Sequence, residues 1–125
     1  MPRLKAVYPI SGENTRALPV KNLPAAISFY EARLGFSVVS QDESSATVVR
    51  DDVSLGLILS AEHEPGKAGS LAVLVDDLAV LHRELQAKGA NPGEFGVDEW
   101  NARQHRTFFV READNGYCFC FFCPL

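Results

Sequence analysis

The hydrophobic pattern along the chain repeats itself. ALPVKNLPAAISFYEARLGF starts at Ala17, and AVLVDDLAVLHRELQAKGAN starts at Ala72, 55 residues on. Leu18, Val20, Leu23, Ala26, Tyr30 and Ala32 fall opposite Val73, Val75, Leu78, Leu81, Leu85 and Ala87. A repeat at this spacing is the first thing to look for in a new sequence. Each copy opens as a short strand of small and β-branched residues. Each then meets an N-cap residue, Asn22 or Asp77, whose side chain can take the free amides of a helix start. In the first helix Leu23, Ala26, Ile27, Tyr30 and Leu34 fall in one stripe of helical period. Pro24 sits in the first turn, where its missing amide costs nothing. In the second helix Leu78, Leu81 and Leu85 form the stripe and Gly89 is the stop.

Strand-like runs follow each helix: FSVVS, SATVVR and SLGLILS in the first half, and GEFGV, RTFFVR and YCFCFF in the second. Polar turns are expected at 41–45, at Asp51 and Asp52, and at Asn115 and Gly116. Each half therefore reads β-α-β-β-β, over 15–60 and 70–122, joined by AEHEPGKAG. A unit of roughly 50 residues is too small to cover its sheet alone, so two must share a surface. LKAVYPI, ahead of the first unit, reads as an added strand or as an arm.

The three cysteines, at 118, 120 and 123, lie together near the carboxyl end. On a strand, 118 and 120 share one face, and Phe119 and Phe121 share the other. Extended C-x-C spacing does not preorganise a tetrahedral zinc site, and a disulfide between 118 and 120 would bend the strand. Cys118 and Cys120 are therefore expected to be small apolar lining, with a ligand-contacting or redox-sensitive thiol and a metal ligand as the alternatives.

At 125 residues the chain is expected to be one domain, 1–125. The net charge of −4 argues against nucleic acid, which needs a basic footprint. The apolar runs are too short to span a membrane. An odd, clustered set of cysteines and no secretory pattern place the chain in a reducing cytoplasm. There is no P-loop, dinucleotide fingerprint or nucleophile elbow, and no cofactor is expected.

Three stretches carry a resemblance to a known family. VKNLPAAISFYEARLGF resembles the V-x-D-L-x-x-(S/A)-x-x-F-Y-x-x-x-L-G-F motif of the glyoxalase/bleomycin-resistance/extradiol-dioxygenase superfamily. VDDLAVLHRELQAKGA is similar to that family's second helix, and RTFFVREADNGYCFCF to its closing R-x-F-x-V-x-D-P-x-G segment. The resemblance covers about 15–122, and VVRDDVSLGLILSA looks particularly like the bleomycin-resistance branch. It implies an α+β fold of two βαβββ modules whose mixed sheets form a concave cleft. It also implies four cleft positions that hold a metal in the metalloenzyme branches. Here they fall on Thr15, Gly56, Ser70 and Cys120, with Asn115 treated as an insertion. That set cannot make a four-ligand site for a divalent ion, so no metal is expected.

The resemblance thus implies metal-independent binding of a small aromatic or cationic molecule, in the manner of antibiotic sequestration, by a homodimer. The alternatives are a family metalloenzyme with displaced ligands, or a metal-independent enzyme using His105 or Glu99 as base. The expected ligand-binding residues are Trp100, His105, Arg106, Phe109, Tyr117, Cys118 and Cys120. Trp100 caps the cleft or packs elsewhere, Arg106 pairs a carboxylate or faces the ligand, and Tyr117 sits at the rim. His105 is a loop histidine, as is a solvated His63, and His82 is a partly buried structural residue.

Overall fold

Asn22 and Asp77 do what their position before an apolar stripe predicts. Each side chain accepts a hydrogen bond from the backbone amide three residues on, Ala25 at 3.0 Å and Val80 at 3.1 Å. They start α1 (Leu23–Leu34) and α2 (Leu78–Ala87). α1 ends at Gly35 and α2 just before Gly89, both at positive φ, where a side chain would be strained. The buried residues of α1 are Leu23, Ala26, Ile27, Tyr30 and Leu34, the stripe expected from the sequence.

The computed structural model describes residues 2–125. Nine strands form two sheets. The four-stranded sheet has the order β2 (Leu18–Val20), β5 (Val53–Leu59), β4 (Ser45–Arg50), β3 (Ser37–Gln41). The five-stranded sheet has the order β1 (Leu4–Pro9), β6 (Ser70–Val75), β9 (Cys118–Pro124), β8 (Arg103–Arg111), β7 (Gly96–Trp100). The fold is α+β. β2 runs parallel to β5 and β6 parallel to β9; the other pairs are antiparallel. LKAVYPI is a strand: β1 caps the free edge of β6. No helix among the described residues is long and apolar enough to cross a membrane.

Two elements differ from expectation. The strand expected at GEFGV lies three residues later, at β7, and takes in Trp100. Four of its five residues are exposed, so no buried face imposes an alternation to read. β8 starts at Arg103, not Arg106, which places His105 on a strand.

The halves are held together by polar clasps as well as by the core. Arg50 of β4 donates two hydrogen bonds to Glu84 of α2, at 2.6 and 2.9 Å, and one to the Leu34 carbonyl. Tyr117 donates to the Pro19 carbonyl at 2.8 Å. Tyr30 of α1 packs edge-on against Phe119 of β9. At the amino end, Arg3 pairs with Asp52, and the Leu4 amide donates to Asp51.

A groove of about 780 Å³ lies beside the Arg50 clasp, between the end of α1, β4 and α2. Arg50 and Glu84, at its centre, satisfy each other, so this space is a joint between the halves.

Candidate functional site

Alternation along the five-stranded sheet sends one set of side chains to the helices and the other to an open face. Phe108, Val110, Phe119 and Phe121 are buried on the helix side. The register pairs His105 with Pro124, Thr107 with Phe122, Phe109 with Cys120 and Arg111 with Cys118 on the other side. Gly96 pairs with Thr107, Asp98 with His105 and Trp100 with Arg103. Ala72 lies between Tyr8 and Cys120.

Part of this face encloses a basin of about 740 Å³. Ala72, Leu74, Cys120 and Phe122 form its floor, with Tyr8 and Ile10 on one side and Trp100 with Asn101 on the other. Cys120 and Phe122 are buried, whereas Tyr8 and Ile10 are more than half exposed. Trp100 is projected by a two-residue β-turn, Asn101 and Ala102, both at positive φ, as a tight hairpin requires. Its indole lies flat on the His105 ring, centroids 3.8 Å apart and planes within 4°, and meets Phe122 edge-on at 5.2 Å.

The expected site residues divide accordingly. Trp100 and Cys120 line the basin. His105 is not a loop residue: it is buried beneath Trp100, with Nδ1 lacking a partner. Phe109 is on the open face beside Cys120, and Cys118 lies one pair further along. Arg106 points away from the basin and neither pairs a carboxylate nor meets the open face. Its guanidinium carbon sits 3.9 Å from the Phe95 ring centroid, on the helix side, because its strand position has the opposite parity to His105. Tyr117 is not at the rim: it is 1% exposed and ties the two halves together. Glu99 pairs with Gln104, so it too faces away from the basin. His63 is not solvated: it stacks on Tyr117, and its ring nitrogen bonds the Asn115 carbonyl. His82 packs against Phe95 and Phe108 and bonds the Gly93 carbonyl.

Sequence reasoning missed Tyr8, Ile10, Ala72, Leu74, Asn101, Phe122 and Pro124. The parity that placed Cys118 and Cys120 on the open face extends to Phe122, and that of Ser70 extends to Ala72 and Leu74. Tyr8 and Ile10 required knowing that β1 joins this sheet.

Charge on the open face is sparse. Its charged positions in β7, β8 and β9 are Asp98, Arg103 and Arg111. Asp98 already accepts a hydrogen bond from the Thr107 hydroxyl at 2.9 Å. Neither arginine forms an ion pair among the described residues. The matching face of the four-stranded sheet presents Ser45, Thr47 and Val49 against Ile58, Gly56 and Ser54, with no charge.

Burial disfavours the thiolate form of these cysteines. Burial pushes Cys120 up to about 11, with help from the charge of Asp98. Burial also raises Cys118, against the opposing pull of Arg111. The thiolate is the nucleophile. Alkylation of Cys120, measured in a Cys118→Ser, Cys123→Ser background, should therefore rise roughly tenfold per pH unit from pH 8 to 10. A rate that levels off near pH 8 contradicts this placement.

The four positions that hold metal in related enzymes do not fit an ion here. Thr15 is in a turn, not on a strand, and its carbonyl accepts from the Gly56 amide at 2.8 Å. Gly56 lies against the Arg16 carbonyl. Ser70 pairs with Cys118, and Cys120 with Ala72, so Ser70 and Cys120 sit diagonally on one face and bring a hydroxyl and a thiol but no imidazole or carboxylate. Among the described residues no three His, Cys, Asp or Glu side chains come together as a metal site.

The model of the Glyoxalase/Bleomycin resistance protein/Dioxygenase superfamily matches residues 14–121. The chain belongs to this superfamily. Among superfamily structures, it resembles the bleomycin resistance determinant encoded on transposon Tn5, with a TM-score of 0.75 and 21% identity over 90% of this chain and 98% of that one. A bleomycin-binding protein complexed with bleomycin gives 0.74, again with 21% identity and the same shares of the two chains. The bleomycin-binding protein of Streptomyces verticillus, complexed with copper(II)-bleomycin, gives 0.65 with 28% identity over 85% of this chain and 90% of that one. A search of curated protein sequences finds no significant match.

Proposed function

We propose that this superfamily member binds and sequesters a small, flat molecule in the basin of the five-stranded sheet, without a metal. The observation that carries the reading is the floor of Ala72, Leu74, Cys120 and Phe122, walled by Tyr8, Ile10 and Trp100. A concave apolar surface with few polar groups holds a ligand by burying its apolar area and orienting it through the few. Asn101, the Tyr8 hydroxyl and the Trp100 indole N–H are polar groups of that lining. Bleomycin complexes among the structural neighbours support the class of activity, antibiotic sequestration included. Tyr8, Ile10, Ile58 and Phe109 are exposed apolar side chains, and a second copy of the chain packed over them completes the groove in a homodimer.

Nile red, an uncharged planar dye, tests the reading. It is expected to bind saturably and gain fluorescence, and Ala72→Trp, which fills the basin from its floor, is expected to abolish the gain. Undiminished binding by a folded Ala72→Trp protein sinks the proposal.

A further inference from the structure

The wall of the basin rests on a titratable group. His105 is 6% exposed, and the Trp100 indole covers its ring, centroids 3.8 Å apart and planes within 4°. Phe122 meets both rings edge-on, at 5.2 Å from Trp100 and 5.5 Å from His105. Nδ1 of His105 is buried and has no hydrogen-bond partner among the described residues. This seat suits a neutral imidazole. An imidazolium here would be a charge shielded from water, with its Nδ1–H facing no acceptor.

The groups around the ring do not offset such a charge. On β7, Asp98 is the cross-strand partner of His105, but it accepts from the Thr107 hydroxyl, and His105 forms no ion pair among the described residues. On β8, Arg103 and Thr107 share its face, and Arg103 adds positive charge. On β9, Phe122 and Pro124 are uncharged, and Leu125 beyond them is exposed, where water and salt screen the main-chain end. Glu13, whose Oε1 is buried without a partner, lies against Gly69. Gly69 bonds Cys118, and Cys118 is at the opposite end of β9 from Pro124, the partner of His105, roughly 20 Å along the strand.

We infer that His105 is the positioning residue of the basin wall and that its protonation releases the ligand. Neutral, it holds Trp100 flat above it. Protonated, it turns toward water, Trp100 lifts away, and the ligand loses one side of its basin. The attraction of an imidazolium for an indole face opposes this, but it is smaller than the cost of keeping an unpaired ion from water. Release of a ligand rests on the binding reading above; the movement of Trp100 does not. The sign follows from linkage. The ligand favours the neutral form, so affinity is full above the range in which histidine titrates and falls as pH drops through it.

Trp100 is the single tryptophan of the chain, so its emission reports on this stack. Acrylamide, an uncharged quencher, is expected to quench it about twofold more strongly at pH 5 than at pH 8, because the stack covers one of the two ring faces. Far-ultraviolet circular dichroism should not change. Nile red is uncharged over this range, and its affinity should be about tenfold lower at pH 5, the effect of a tenfold difference in proton affinity between the free and bound forms. His105→Phe keeps a flat ring under Trp100 with no proton to gain, and should make both measurements independent of pH. His63→Gln and His82→Gln replace the other two histidines and should leave both acid responses intact. Quenching and affinity that are flat from pH 8 to 5, an acid response that survives in His105→Phe, or affinity that rises on acidification overturns the inference while the binding reading stands. Loss of circular dichroism alongside the quenching marks unfolding and overturns it too. If Nile red binds at no pH, the binding reading falls, and quenching alone decides the movement of the wall. If His105→Phe does not fold, loss of the response in His63→Gln or His82→Gln overturns the assignment, and its survival in both upholds it.

Discussion

Gly56→Ala is expected to destabilise the protein by about 3 kcal/mol, and Gly56→Val by more, because overpacking against rigid neighbours is costly. A Cβ at this position runs into the carbonyl of Arg16 and approaches the carbonyl carbon and Cα behind it. Those atoms are backbone in the turn before β2, and no side-chain rotation relieves the clash. The same turn is fixed by the Gly56 amide, which donates to Thr15, and by Asn14, whose side chain accepts from the Arg16 amide. Thermal unfolding measures the effect: the expected drop for Gly56→Ala is about 10 °C in a domain of this size. Gly66→Ala is the control, with no atom near the new methyl, and should stay within about 0.5 kcal/mol of the parent. A Gly56→Ala protein that melts with the parent contradicts the close approach of the two segments. Installing a metal-binding side chain here would displace the turn before it bound any ion.

Asn115→Ala should cost about 3 kcal/mol, by loss of two side-chain hydrogen bonds, one of them to a buried carboxylate. The Asn115 side chain accepts from the Lys21 amide at 2.9 Å and donates to the Glu112 carboxylate at 2.6 Å. Glu112 is 1% exposed, and both of its carboxylate oxygens are held by Asn115, one by the side chain and one by the backbone amide. Truncation leaves a buried carboxylate with half its partners and a backbone amide with none. Denaturant unfolding should show a lower midpoint with an unchanged slope. Exposed Asp114→Ala should lie within about 0.5 kcal/mol of the parent. An effect of Asn115→Ala no larger than that of Asp114→Ala would contradict the network.

These residues show what the sequence made legible. Both helices and β4 follow from periodicity, because each has one buried face; β3, as exposed as β7, was legible from its β-branched run FSVVS between two turns. β7 did not follow, because it has neither a buried face nor such a run. Asn115 reads as a surplus residue in a turn when aligned to a family motif. Its role is a contact with Lys21, 94 residues away, and no local pattern encodes that. In the basin, Cys120 was placed by strand parity, whereas Trp100 was left between capping the cleft and packing elsewhere. Arg106 was misplaced because a motif match does not say which face of a strand a residue takes, and its parity is opposite to that of His105 and Phe109. Tyr117 precedes β9 and turns inward to bond the Pro19 carbonyl. Tyr8 and Ile10 depended on the pairing of β1 with β6, a choice between an arm and a strand that hydrophobicity alone does not make.

The last of the nine described strands in chain order occupies the middle of its sheet. β9 lies between β6 and β8, so until residues 118–124 leave the ribosome the second sheet exists only as two unjoined flaps. The first sheet needs nothing beyond Leu59 to have all its strands. Synthesis therefore supplies every strand of one sheet early, while the core it shares with the other waits for β9, and the apolar floor of the basin assembles with it.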